Sequence, residues 1–277
     1  MEQPKISLFA VFKFVFSAIF THITLYLPIM LGAYLVVMGL IYLRQYLETT
    51  ALISSMYLDI LSIIFGYIIL ASCFWGACVV IAARILYGSH ATLSVFMQSL
   101  RHAPQFICIY AAVKLPSLLI SFWPAIDFFN PDTWSPPSEI TSALYNTAKL
   151  LSPVIYVIVA FFVWMWTLYG QLAIPAFVIE QQGIIKSLAL SFHRSNKVLW
   201  KIIEVGISFG VFTLVVVGLI QGGIYIGEGS TISTALWQVF ENKRPSLIFV
   251  GLEFPILALA YVYIYKYAQQ KSELVQE

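Results

Sequence analysis

The sequence predicts an all-α integral membrane protein of six transmembrane helices, with amphipathic helices lying at the interface and a threefold internal repeat. Three observations carry that expectation. The 277-residue chain is 60% hydrophobic and 10% charged, with a mean hydropathy of +0.88, whereas soluble domains carry about 25% charged residues. Six apolar stretches reach the roughly 20 residues that a helix needs to cross hydrocarbon with its backbone groups satisfied internally. The cations gather on alternate connections between those stretches, as the loops of a polytopic protein require.

The six spans fall near residues 23–43, 59–86, 104–126, 150–179, 199–226 and 246–267. The second and fourth exceed the minimum length, which predicts tilt or an extension beyond the bilayer. Between spans three and four, "DFFNPDTWSPPSEITSALYNTAK" reads as a solvated loop with one short helix, because Pro, Asp, Asn and Ser favour turns. Between spans five and six, "GEGSTISTALWQVFENKRP" reads the same way, with an amphipathic helix around Thr231 to Phe240. Pro28, Pro116, Pro153, Pro175 and Pro255 lie in or near spans. They are kinks whose freed carbonyls neighbouring helices satisfy, with a transport hinge as the alternative.

Orientation follows from Lys and Arg. With the N-terminus cytoplasmic, one side receives Lys5, Lys13, Arg84, Arg101, Lys186, Arg194, Lys197, Lys201, Lys266 and Lys271, and the other Arg44, Lys149, Lys243 and Arg244. That asymmetry predicts both termini cytoplasmic, in a cell (inner) membrane. Glu2 ahead of Lys5, and no clear small-residue cleavage site, predict an uncleaved N-terminus. A net charge of +2 without a Lys/Arg block gives no footprint for nucleic acid. Cys73, Cys78 and Cys108 fall in apolar runs without metal or redox spacing and read as small apolar groups.

The stretch "GIIKSLALSFHRSNKVLWK", residues 183–201, places Ile184, Ile185, Leu188, Phe192 and Leu199 on one helical face and Lys186, Arg194, Lys197 and Lys201 on the other. Such a helix suits the headgroup plane of an anionic leaflet. "YGSHATLSVFMQSLRHAPQF" repeats it: Gly88 aligns with Gly183, Thr92-Leu93 with Ser187-Leu188, and Met97 with Phe192, and Leu93, Met97 and Leu100 share a face. "KISLFAVFKFVFSAIF" is a looser copy, with Ser7-Leu8 in the equivalent place and Leu8, Phe12 and Val15 on one side. Each copy precedes an outgoing span, so a single polytopic domain over residues 1–277 divides into units of about 5–86, 88–179 and 183–267. The basic helix reads either as a structural collar or as a binding surface for anionic lipid headgroups or a protein partner.

The segment "IPAFVIEQQGIIKSLALSFHRSNKVLWKII" combines an apolar span ending in Pro and a small residue, an acidic residue, Gly, Ser-Leu and a basic amphipathic helix. It is similar to the six-span membrane region of some bacterial glycerophosphodiester phosphodiesterases and of stand-alone YciC-like inner-membrane proteins. The resemblance covers most of the chain through a short, degenerate motif and implies a six-helix membrane protein of unassigned molecular activity. The phosphodiesterase activity of the fused proteins belongs to a separate soluble barrel, which we do not expect in these 277 residues. No catalytic residue is therefore carried over.

Ionisable groups inside spans are functional candidates, because burying them in hydrocarbon is costly. They are His22, Lys114, Glu204 and Glu253. Lys114 and Glu253 would satisfy one another if spans three and six face each other, or would line a transport path. Glu204 reads as a local partner of Lys197 or Lys201. His90, His102 and His193 form no metal-ligand spacing, Ser187 and Ser191 have no nucleophile-elbow context, and phosphate-cradling glycine loops are missing from the sequence. We expect no metal, no cofactor and no enzymatic site. Gly206, Gly210, Gly218 and Gly222 form a small-residue surface on span five, for packing within the chain or for self-association.

Overall fold

The computed structural model describes residues 6–49, 68–121, 139–227 and 246–273. Every regular element among them is helical. Among the described residues, four helical stretches are long and apolar enough to cross a membrane: Ile23–Leu47, Ile68–Leu86, Leu93–Ile120 and Val154–Glu180. Spans five and six of the sequence reading coincide with helices α8 and α9 below.

Helix α1, Leu8–Thr21, starts because Ser7 adopts an extended backbone and its hydroxyl accepts from the Ala10 N–H at 3.1 Å. After a break at His22, α2 runs over Ile23–Thr49, with Pro28 inside it. Helix α3, Ala71–Leu86, is more than half buried and ends where Gly88 takes φ 67°, the left-handed conformation that closes a helix C-terminus cheaply. The chain then enters α4, Leu93–Ser99, whose N-cap is Thr92, again through the hydroxyl and again with extended backbone. A 3₁₀ turn, Leu100–His102, leads into α5, Ala103–Ser121.

Helix α6, Glu139–Gly170, begins earlier than the sequence suggests: residues 139–149, assigned to a loop with one short helix, are the first turns of this long helix. Pro136-Pro137-Ser138 ahead of Glu139 is a helix-start signal that the loop composition obscured. A break at Gln171 and Leu172 separates α6 from α7, Ala173–Glu180, so span four is two helices. Helix α8, Ile184–Gly227, carries one non-helical residue, Val198, with φ −132° and ψ 16°. It divides the basic stretch from the apolar half. Helix α9, Ser246–Glu273, follows. The amphipathic helix expected near Thr231 to Phe240 lies outside the described residues.

Helix α9 is the centre of the packing. It touches α1, α2, α3, α7 and α8, and Leu259, Val262, Ile264 and Tyr265 on it are fully buried or nearly so. Around it lie Val11 and Val15 of α1, Val79 and Ile81 of α3, and Ile202, Val205 and Phe209 of α8. Aromatic rings bridge the elements: Phe12 stacks on Phe209 at 4.4 Å, and Phe14 on Tyr263 at 4.9 Å. Large apolar side chains also cover the outside, including Leu27, Leu31 and Leu35 on α2 and Phe161 and Phe162 on α6. A surface like this would be an aggregation liability in water.

Closest approach occurs at glycines the sequence did not single out. A Cβ on Gly76 would meet the Phe106 ring at 2.2 Å, and one on Gly170 would meet Val113 at 2.6 Å. Of the span-five glycines, Gly206 would meet only the Tyr261 hydroxyl, at 3.5 Å, and Gly210 faces open space. The side chains at positions 218 and 222 are outside the description.

Candidate functional site

One end of the bundle gathers most of the side chains with chemistry. It forms because α7 stops at Gln181, which takes φ 52° and returns its N–H to the Phe177 carbonyl, and the chain reverses within a few residues into α8. Glu180, the last residue of α7, therefore lies beside the basic stretch. Its Oε1 accepts from the Arg194 guanidinium at 2.6 Å and from the Tyr265 hydroxyl at 3.3 Å. The Arg194 Cζ sits 4.6 Å from the centre of the Tyr265 ring, a cation–π distance. Arg194 is 11% exposed and Glu180 22%. The cluster thus ties α7, α8 and the central helix α9 by charge-assisted bonds screened little by solvent.

Arg194 does not lie on the outward charged face expected for it. The helix is rotated from the face that its apolar residues suggest: Ser187, Ser191 and Ser195 are fully buried, while Ile185 is 84% exposed. The reason lies in the break after α6. The Tyr169 carbonyl is among the last four of that helix and lacks an ordinary helical partner. It instead accepts from the Ser191 hydroxyl at 2.6 Å and the Ser195 hydroxyl at 3.0 Å. Ser187 donates to the Gly183 carbonyl at 3.0 Å. Small serines let α8 approach close enough for these bonds. The rotation swings Arg194 inward, and Phe192 packs on Trp166 at 4.7 Å and stacks on Tyr169 at 5.7 Å.

The other sequence candidates fall in different settings. Lys201 pairs with Glu204, Nζ to Oε2 at 2.5 Å, the local pair expected from their spacing. Both are partly exposed, next to Trp200, which is 79% exposed just past the bend at Val198. Lys186 is exposed and Lys197 half-buried. Lys266 places its Nζ 4.7 Å from the Tyr87 ring centre, joining the end of α9 to the end of α3.

Lys114 is half-buried on α5. Glu253 is on α9, but its side chain, and with it the expected Lys114–Glu253 pair, lies outside the description. Among the described residues, α5 packs on α3, α6, α7 and α8, and no extended contact joins it to α9. One polar bond near Lys114 has a local cause. Pro116 has no N–H, so the Ala112 carbonyl loses its helical donor. The Trp166 indole N–H of α6 donates to it at 3.0 Å, and the hydroxyls of Ser117 and Thr167 bond to each other at 2.7 Å.

Sequence reasoning missed Glu180 and Tyr265. The acidic residue stands in the motif before the basic stretch, which was the available signal. Tyr265 gave none, since one tyrosine among many on an apolar helix looks like core. Cys73, Cys78 and Cys108 are free thiols, and among the described residues no three His, Cys, Asp or Glu side chains come together. No family model, curated protein or solved structure matches the chain.

Proposed function

We propose that this chain is a six-span protein of a cell (inner) membrane, with both termini cytoplasmic. It consists of three copies of a unit made from an interfacial helix, an outgoing span and a returning span, kin to the membrane region that its motif resembles. Its role is non-catalytic, in envelope organisation or as the membrane partner of another protein. The observation that carries this reading is the kink at Val198, where a cationic, serine-faced helical segment meets a long apolar one. A helix that turns at the headgroup level and then enters the bilayer has that form. Support also comes from the four helices of membrane-crossing length and from the matching hydroxyl caps of α1 and α4 at Ser7 and Thr92. In the third copy the helix begins three residues ahead of Ser187, which makes that serine an internal donor rather than a cap.

Transport through Lys114 and Glu253 is the competing idea. The Trp166 bond to the Ala112 carbonyl, close to Lys114, serves the backbone defect at Pro116 and calls for no pathway.

Topology is the decisive test. In a chain with its three native cysteines replaced, Asp132→Cys should react with a membrane-impermeant maleimide on intact spheroplasts. His193→Cys, at an exposed site on α8, should react only after permeabilisation. Equal reactivity of the two sites overturns the arrangement.

A further inference from the structure

The basic end holds two kinds of cation. Arg194 and Lys201 have carboxylate partners in Glu180 and Glu204. Lys13, Arg84, Arg101 and Lys186 are exposed, and none has an acidic partner among the described residues. The second group follows a pattern. On α1, Phe9 is 77% exposed one turn before Lys13, and on α4 Met97 is 59% exposed one turn before Arg101. On α8 the outward Ile185 directly precedes Lys186, and at the end of α3 the exposed Tyr87 follows Arg84 by one turn. Helices α1, α4 and α8 thus each offer solvent a large apolar side chain with a cation close by in the chain, and at the end of α3 the half-exposed Tyr87, with Lys266 over its ring, stands near Arg84.

Single exposed apolar side chains are ordinary on a water-facing surface, but here each of them stands close in the chain to an exposed cation. An acidic protein surface would match the charges but would leave these apolar side chains to be covered one by one on separate helices. A lipid leaflet matches both, because apolar side chains enter the acyl boundary while adjacent Lys and Arg stems reach up to phosphate. Continuity favours the same occupant: the stretch Leu93–Ile120 runs from the α4 collar directly into a helix of membrane-crossing length.

We propose that α1, α4 and the first half of α8, with the end of α3, form a collar that recruits anionic phospholipid around the protein. Lys13, Arg84, Arg101 and Lys186 contact headgroup phosphates, and Arg194 and Lys201 take no part. The proposal rests on the membrane-spanning reading. It also changes which cations meet lipid: of Lys186, Arg194, Lys197 and Lys201, the group the sequence suggested, it keeps Lys186 and adds three residues from other elements.

The test uses the full chain in phosphatidylcholine vesicles with trace spin-labelled phosphatidylglycerol or spin-labelled phosphatidylcholine, reading the motionally restricted fraction of each label. The wild type should enrich phosphatidylglycerol severalfold over phosphatidylcholine, and the enrichment should fall as salt screens the phosphates. The combined change Lys13→Gln, Arg84→Gln, Arg101→Gln and Lys186→Gln should bring the ratio close to one, while Lys201→Gln leaves it near the wild-type value. No enrichment in the wild type, a ratio unchanged in the fourfold variant, or insensitivity to salt overturns the proposal. Absent lipid enrichment with salt-sensitive capture of an acidic protein assigns the collar to a protein and also overturns it. If the fourfold variant fails to insert, the salt series on the wild type decides. Extraction of the wild type from vesicles by alkaline carbonate would instead remove the spanning reading, a separable outcome.

Discussion

Arg194 shows how far one residue's surroundings can depart from its helical-wheel position. On the wheel it belongs with Lys186 and Lys197; in the fold its guanidinium is 2.6 Å from the Glu180 carboxylate and lies against the Tyr265 ring. Removing one member of a buried pair leaves an uncompensated charge and costs about 3–5 kcal/mol, whereas removing both often costs much less. Glu180 retains 22% exposure, so the low end of that range, about 3 kcal/mol, is expected for Glu180→Gln. The double change Glu180→Gln with Arg194→Met should recover part of the loss in a double-mutant cycle read by denaturant unfolding in detergent. Strictly additive losses would show that the two side chains do not interact. The sequence disclosed the presence of the acid but not the pairing, because the partners are fourteen positions apart and only the reversal at Gln181 brings them together. The Lys201–Glu204 pair was legible because both residues stand on one helix at a spacing that puts them on the same face.

At the scale of elements, hydrophobic length located the helices and periodicity failed to orient them. Apolar runs marked α2, α3, α5 and α6 because crossing hydrocarbon is a demand on composition, which a sequence records directly. Orientation around the axis depends on what a helix packs against. Helix α8 turns Ser187, Ser191 and Ser195 inward because the Tyr169 carbonyl needs donors, and its outward Ile185 is what a lipid-facing surface permits. In a membrane, apolar residues no longer identify the buried face, since lipid tails are as apolar as a core. The glycines carry the same lesson. A regular four-residue spacing drew attention to Gly206 and Gly210, yet steric need is at Gly76, where α3 meets Phe106 of α5, and at Gly170, where α6 meets Val113. We expect Gly76→Ala to destabilise the protein by about 1–3 kcal/mol through overpacking. Gly210→Ala should be neutral or stabilising by up to about 1 kcal/mol, from helix propensity. Comparing the two midpoints in the same unfolding assay checks both, and equal losses would mean that the α3–α5 approach is not tight.

For the whole molecule, the organising feature is the position of α9. Residues from 256 to 268 are buried on nearly every side, against α1, α2, α3, α7 and α8. Nothing in its sequence marks it as central: Pro255 stands inside it, and it shows no special motif. Centrality is a property of arrangement, and one sequence records composition along the chain rather than neighbours across it. A chain ending at residue 245 should therefore lose protease resistance throughout α1, α3 and α8. Co-expressing residues 246–277 as a separate polypeptide should restore it, and unchanged resistance of the shortened chain would deny α9 its central role. The same placement bears on biosynthesis. Helix α9 is made after all the helices it holds together, so each earlier helix must form and persist without its main contact surface. Helix formation and assembly are consequently separate events for this protein. Until α9 arrives, the other helices are neighbours awaiting a common partner, open to quality-control proteases or to association with another chain.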